Sequence, residues 1–583
     1  MPPKRIIVCC DGTWMDSLGK KGNEPPSNVT RISRVISRTG SDGTPQIINY
    51  FPGVGTASGL DQFTGGAFGM GLDRDIREVY NFICTNYVDG DSIILVGFSR
   101  GAFTARSTAD MIASIGLLTP EGLDRFYTIF GDYENLGNAT RDTDDFLIPD
   151  LPEYNNSHGL AKITWEKDRT LKYKLGLKGL KYTRDAYQDG ITEIKIRALA
   201  VWDTVGALGI PPAPVIGVRG SADQWRFTNT QISDKVENAF QALALDEPRY
   251  AFRPALWERA PGSQTNLKQV WFPGTHANVG GGWYDQQMAT ITLAWMCDQL
   301  STLGVEFNLS RMTNMFTDAL RFSAAHPFPF AGQAKSIIPK FLKKPPSPLP
   351  WAVTPLCRPP PSGPPKRDTA ECDGKDKHPA GTAAQLWQTT APRPWALGML
   401  RNPTSVIQTL AGKTVRRPGL FMRVDEDTNE DTAEPLLGTA ERIHSSVRVR
   451  LACGGLGVDD KEVWPCEGLL KDSGKGGGGG LLWRLERGSG FAPEDERSVQ
   501  GFVPRELGLP GGEYREEYLY PVGKDDNVWR WVYVKPVEGE GVYRVPQAAA
   551  LPEEPLVGYW ERYLLAMLIG EGDVWRYALS TSG

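Results

Sequence analysis

Between residue 5 and about residue 302, short apolar runs alternate with stretches whose apolar positions fall three and four residues apart. The runs RIIVCC (5–10), QIINY (46–50), SIILVGF (92–98), IKIRALAVW (194–202) and KQVWF (268–272) read as strands. Their near-continuous Ile, Val and Leu suits strands covered on both faces. Between them, NVTRISRVISR (28–38), LDRDIREVYNFICTNYV (72–88) and GAFTARSTADMIASIG (101–116) carry the spacing of covering helices. The pattern predicts an α/β fold, α/β-hydrolase-like, with a mostly parallel sheet covered by helices on both faces.

The rhythm breaks twice. Residues 117–192 form an insertion after the third strand and its helix, and they contain WEKDRTLKYKLGLKGLKYTRD (165–185). Here Lys172, Lys174, Lys178, Lys181 and Arg184 stand among Leu171, Leu175, Leu177 and Leu180. That mixture reads either as a lid that meets a lipid-like substrate or as a solvated face. Residues 344–394 are Pro-rich, and proline fixes φ and removes backbone donors, so this stretch reads as a linker. The expected organisation is a catalytic domain over 1–325, the linker, and a C-terminal extension over 395–583. In the extension SSVRVRLA (445–452), EEYLYPV (516–522) and NVWRWVYV (527–534) read as strands, and LVGYWERYLLAMLIG (556–570) reads as a helix.

Composition narrows the function classes. A formal net charge of -5 over 583 residues lacks the basic footprint of a nucleic-acid binder. The eight cysteines form no C-x-x-C pair, so neither a zinc site nor a disulfide framework is expected. No cofactor is implied. No apolar run reaches the roughly 18 residues of a membrane span, and the N-terminal run is too short for a secretory signal. The expectation is a cytoplasmic protein with, at most, peripheral lipid contact. The oligomeric state is not legible.

The chemistry concentrates in DGDSIILVGFSRGAFTAR (89–106), where a strand ends at Gly97-Phe98-Ser99-Arg100-Gly101 and a helix follows at once. This is G-x-S-x-G in strand-turn-helix context, a nucleophile elbow. Glycines at 97 and 101 relieve crowding at the strained turn, and the N–H of Arg100 is the expected first oxyanion donor. A serine needs a base, usually a histidine oriented by a carboxylate. Of the five histidines, His158, His326 and His378 do not directly follow a strand, whereas His276 in KQVWFPGTHANVGGGW does. His444 is the reserve. Asp203 ends the strand IRALAVW and gives the chain order Ser, Asp, His. Asp246 and Glu247 compete, but ALALDEPRY reads as a helix C-terminus, and Asp285 is a supporting partner for His276.

The stretch IIVCCDGTW (6–14) admits two readings. An aspartyl phosphatase needs a second aspartate two residues before Asp11, and that position is Cys9. The loop instead suits a second oxyanion donor, the N–H of Thr13, with Asp11 as its brace. Arg100 and Arg106 either contact an anionic group or brace loops, and residues 51–71 shape the pocket rim.

In this order and spacing, CCDGTW, YFPGVGT, GFSRGAFTAR, VWDTVGALG and WFPGTHANVGGG resemble an α/β-hydrolase family related to the phospholipase effectors of bacterial type VI secretion, particularly its fungal members. The resemblance covers about residues 4–302. It implies a triad of Ser99, Asp203 and His276 and a lipid or other small ester as substrate. One departure is Gln241, near which the family pattern expects a histidine. The expected activity is serine hydrolysis of carboxylic esters, possible phospholipid acyl esters among them, through an acyl-enzyme. The rival is an inactive hydrolase-fold scaffold.

Overall fold

Strands β1 (Arg5–Cys10), β2 (Gln46–Phe51), β3 (Ser92–Phe98), β4 (Ile196–Trp202), β5 (Asn238–Ala244) and β6 (Asn266–Phe272) lie side by side in the order β2-β1-β3-β4-β5-β6, all parallel. The computed structural model describes residues 3–13, 25–53, 65–154, 160–205, 230–326, 392–403, 413–424, 431–470, 482–488, 528–534, 550–556 and 558–568, with a few isolated positions beside them. Nearly all of the Pro-rich stretch, His158, His378 and EEYLYPV (516–522) lie outside the described residues.

Both faces of the sheet are covered, as continuous apolar strands require. Along β1, Ile6, Val8 and Cys10 point into one core while Ile7 and Cys9 point into the other. The first core is closed by α2 (Gly65–Asn86) and α3 (Arg100–Ile115). The second is closed by α1 (Asn28–Val35), α6 (Gln287–Ser301) and α7 (Leu309–Ala325). Between them in sequence fall α4 (Leu160–Gly179), in the insertion, and the short α5 (His276–Gly280).

The basic, leucine-bearing half of α4 packs along α3 and ends at the strand pair Leu117–Leu118 and Thr183–Arg184. Thr183 Oγ1 there donates to Ile115 O at the foot of α3. At 1.5 Å per residue, that foot lies roughly 24 Å along the helix from Ser99. The lid expectation would have set this half of the insertion over the serine. Its position is instead set by burial of Tyr173 and Leu177 against the α3 side of the sheet, leaving Leu171, Leu175 and Leu180 exposed.

The sheet does not stop at the end of the first domain expected from sequence. Strand β7 (Glu441–His444) pairs parallel with β6, and β10 (Ala550–Glu554) pairs parallel with β7. Antiparallel β9 (Val528–Tyr533) and β8 (Trp483–Gly488) complete a ten-stranded sheet. The C-terminal residues therefore continue the same core.

Two local readings are corrected. ALALDEPRY, read as the C-terminal end of a helix, instead begins with the last residues of the fully buried central strand β5, NAFQALA. A site flanked on both sides by strands overrides helix propensity. SSVRVRLA, read as a strand from its alternation, is helix α8 (Ser445–Ala452), with His444 as N-cap accepting from Ser446 N–H. The terminal helix α9 (Tyr559–Ala566) forms inside the expected stretch. Its N-cap is Gly558, which has no side chain to cap with, and Asp298 of α6 takes over. The Asp298 carboxylate accepts from the N–H groups of Trp560 at 2.8 Å and Glu561 at 3.0 Å. Two of the N–H groups left without partners at the helix start are thereby satisfied.

Glu571 ties this end of the chain to Trp395, accepting from its backbone N–H and from Trp575 Nε1, both at 3.1 Å. Burial raises the Glu571 carboxyl from 4.5 to about 8, against those hydrogen bonds. Because the folded value is raised, the unfolded chain releases its proton first, and stability falls as pH rises from 4.5 to 8. Glu571→Gln should therefore raise the stability at pH 8 by on the order of 2 kcal/mol, seen as a higher thermal midpoint, and leave it unchanged near pH 4. Melts followed by circular dichroism at the two pH values check this.

Candidate active site

The order β2-β1-β3 places β2 and β3 on opposite sides of β1, so the carboxyl ends of β1 and β3 flank a switch point, where open parallel sheets bind ligands. Two sequence-selected segments arrive there, Asp11–Thr13 after β1 and Ser99 after β3.

Ser99 has φ 57° and ψ −121°, a conformation that costs an L-residue energy. The packing holds it there. A Cβ at Gly97 would lie 2.5 Å from Ala102 Cα and 2.6 Å from Gly101 O. One at Gly101 would overlap the carbonyl oxygens of Cys10 and Asp11. The turn between β3 and α3 can thus close onto the end of β1 only through glycine. Gly12 is equally confined, since a Cβ there would meet the Phe98 ring at 2.9 Å and Ser99 Cβ at 3.3 Å.

The Asp11 carboxylate accepts hydrogen bonds from Gly12 N–H (2.7 Å), Ser27 Oγ (2.6 Å), Thr30 Oγ1 (2.7 Å) and Tyr50 OH (2.7 Å). Burial pushes its carboxyl up despite these donors. Both oxygens are thereby committed to holding the loop beside Ser99. The Thr13 hydroxyl is buried with no hydrogen-bond partner among the described residues.

Asp203 and His276 meet directly. Asp203 follows β4 with φ 40°, and its Oδ2 lies 2.6 Å from His276 Nδ1. His276 opens α5 after β6, and its imidazole is sandwiched by Phe98 at 4.6 Å and Phe252 at 5.0 Å between centroids. Asp203 is 0% exposed, and Ser99 and His276 are each 7% exposed. Phe98, the neighbour of Ser99, thus packs on the ring that Asp203 holds. Ser99 Oγ makes no helix-capping bond. Among the described residues it also makes no hydrogen bond to His276 in this structure.

Sequence reading missed what lies behind Asp203. Arg416, from a segment with no recognisable motif, donates Nη1 to Asp203 Oδ1 at 2.5 Å and Nη2 to Oδ2 at 3.1 Å. Ala244 N–H adds a bond to Oδ1 at 3.1 Å. Burial opposes ionisation of Asp203, but Arg416 and His276 together hold its carboxyl well below the usual range. Burial also pushes the His276 imidazole down, against the pull of Asp203.

The remaining candidates divide. Glu247 Oε2 accepts the His276 backbone N–H at 3.1 Å, the supporting position expected of Asp285. Asp285 instead accepts from Gln287 N–H and Met399 N–H, because it sits at the start of α6 facing the C-terminal segment. Asp246 holds Gly274 N–H at 2.6 Å and Trp464 Nε1 at 2.8 Å. His444 lies in another cluster, between Ser446 Oγ at 2.8 Å and Glu561 Oε1 at 3.0 Å. Arg106 is a brace, donating to Ala255 O and covering the Trp257 ring at 4.2 Å. Gln241, buried in β5, bonds Gln269 Oε1 and Thr204 Oγ1.

Residues 4–299 match the family described as T6SS phospholipase effector, Tle1-like, catalytic domain. The chain is 26% identical over 270 residues to the uncharacterized protein YEL023C of Saccharomyces cerevisiae, covering 43% of this chain and 32% of that one. Two solved structures are also similar. The Tle1 effector bound to the VgrG spike of a type 6 secretion system gives a TM-score of 0.25 at 16% identity, covering 48% of this chain and 51% of that one. An uncharacterized protein from Pseudomonas aeruginosa gives 0.27 at 14%, covering 52% and 46%. The chain thus spans about a third of the yeast protein's length and about half of the length of each solved chain.

The packing at the turn predicts that Gly101→Ala will separate β1 from α3 and lower stability by about 1–3 kcal/mol. Chemical denaturation of the full chain measures the loss.

Proposed function

Because the chain belongs to the family of Tle1-like type VI secretion phospholipase effectors through its catalytic domain, we propose that it is a serine hydrolase of carboxylic esters, with lipid or phospholipid acyl esters as the substrate class. The observation that carries this is the 2.6 Å bond between Asp203 and His276 beside a serine held at φ 57°. Ser99 Oγ attacks the ester carbonyl carbon while His276 Nε2 takes its proton. The carbonyl π electrons move onto oxygen, and collapse of the tetrahedral intermediate expels the alcohol, which receives the proton from His276. Water repeats the sequence on the acyl-enzyme and releases the acid.

Asp203 keeps the proton on Nδ1, so that Nε2 faces the serine as acceptor. The developing oxyanion is met by the N–H of Arg100, first residue of α3, and by the N–H of Thr13. Each such donor contributes roughly 100- to 1000-fold in rate. The loop carrying Thr13 is held by Asp11, which leaves that carboxylate a structural part rather than a nucleophile. The fold that suits these roles is α/β-hydrolase-like. No described helix is long and apolar enough to cross a membrane, so lipid would be met from the membrane surface.

Wild-type protein should be labelled covalently by a fluorophosphonate and should cleave a short-chain p-nitrophenyl ester, while Ser99→Ala loses the label and at least about 1000-fold in kcat. A wild-type chain that takes no label would sink the proposal. The pH dependence has a defined sign. The imidazole must be neutral to accept a proton, and burial pushes its pKa down. The acidic limb of kcat/KM should therefore lie below the ordinary histidine range, with full activity retained into mildly acid buffer.

A further inference from the structure

Arg416 lies beyond residues 4–299, which the family model matches, yet it is 1% exposed in its side chain and contacts the carboxylate that holds His276. Its four Nη hydrogens have four acceptors. Nη1 donates to Asp203 Oδ1 and to Ala244 O at 2.8 Å, and Nη2 donates to Asp203 Oδ2 and to Phe252 O at 2.5 Å. The fork joins the ends of β4 and β5 to the Phe252 carbonyl, whose own ring packs on His276. The segment carrying Arg416 is itself anchored, since Thr414 N–H donates to Pro248 O at 2.9 Å. Its next turn is tied to the sheet by Gly419 N–H, which donates to Glu441 Oε2 at 2.9 Å.

We propose that Arg416 is a positioning residue of the active site, fixing the plane of the Asp203 carboxylate and cancelling its charge, so that the C-terminal region completes the triad. The inference rests on the esterase reading for its catalytic consequence but not for its electrostatic one.

The charges around His276 explain the cancellation. Asp203 is paired with Arg416, and Glu247, beneath the His276 backbone, is paired with Arg249 at 2.6 Å. Arg401 stands near the latter pair, and Asp246 holds the preceding turn. With the imidazole neutral, the two pairs around it sum to zero. With the imidazole protonated, an unbalanced cation sits in a dry site, which is unfavourable. Without Arg416, Asp203 would be a bare anion against the ring and would favour imidazolium, converting the resting base into its spent form. A carboxylate left with only Ala244 N–H at Oδ1 and His276 at Oδ2 could also rotate, and a displacement of an ångström at a catalytic group costs about 100-fold.

The test uses full-length Arg416→Met, which keeps length without charge, and Arg416→Lys, which keeps charge without the fork. His276 is titrated by NMR of its imidazole, assigned with His276→Gln, while kcat and KM are measured on a short ester. In Arg416→Met the His276 titration should move to higher pH and kcat should fall about 100-fold with KM little changed. In Arg416→Lys the titration should stay near that of the wild type while kcat falls by about tenfold. A His276 titration unmoved in folded Arg416→Met, or wild-type kcat in Arg416→Lys, would overturn the proposal and leave Arg416 a purely structural buried cation. If Arg416→Met does not fold, Arg416→Gln takes its place, with the same upward shift required. A wild type that neither hydrolyses ester nor takes fluorophosphonate, with the titration shift still present, would remove the esterase reading and keep the electrostatic role of Arg416.

Discussion

An ionised carboxylate removed from water must be met by donors on every side, and at Asp203 those donors come from across the whole molecule. His276 arrives from the end of β6, Ala244 from the end of β5, and Arg416 from the C-terminal region. Satisfying this one group fixes the relative positions of three strand ends and one distant segment. Asp203 itself is held at φ 40°, just as its neighbour across the sheet, Ser99, is held at φ 57°. Removing one partner of such a buried pair leaves the other exposed to the full cost of desolvation, so the site and the fold around it stand together.

The sheet supplies the rigidity that this arrangement needs. Pairing of β6 with β7 and of β7 with β10 makes residues far apart in sequence part of the same hydrogen-bonded surface. The turn that presents His276 is gripped from the same side. Thr275 Oγ1 donates to Arg401 O at 3.2 Å, Asn278 Oδ1 accepts from Arg401 N–H at 2.9 Å, and Asn278 Nδ2 donates to Met399 O at 3.0 Å. The short α5 contributes little intrinsic stability, and these tertiary bonds hold the histidine instead.

Much of this was legible in sequence because it is local. SIILVGF followed by GFSRG carries both the strand and the reason for its sharp exit, and VWD and PGTH mark the ends of β4 and β6. The errors fall where local preference and packing disagree. NAFQALA has the composition of a helix and the environment of a central strand, while SSVRVRLA alternates like a strand yet starts at a capped turn. Arg416 could not be found by pattern. Nothing within its segment distinguishes it from the adjacent Arg417, and its role is set by an acceptor 213 residues away.

The pairing of β6 with β7 also bears on how the protein comes into being. Residue 269 must find residue 441, and residue 443 must find residue 553, before the sheet is whole. Contacts so distant in sequence require large loops to close first, and such topologies fold slowly. The strands from β1 to β6 emerge early and present an open edge at β6 until β7 arrives. An uncovered parallel edge with an apolar face invites the wrong partner. During synthesis the sheet therefore stays open at β6 until the later stretches of the chain are made, and those same stretches both close the edge and bring Arg416 to Asp203.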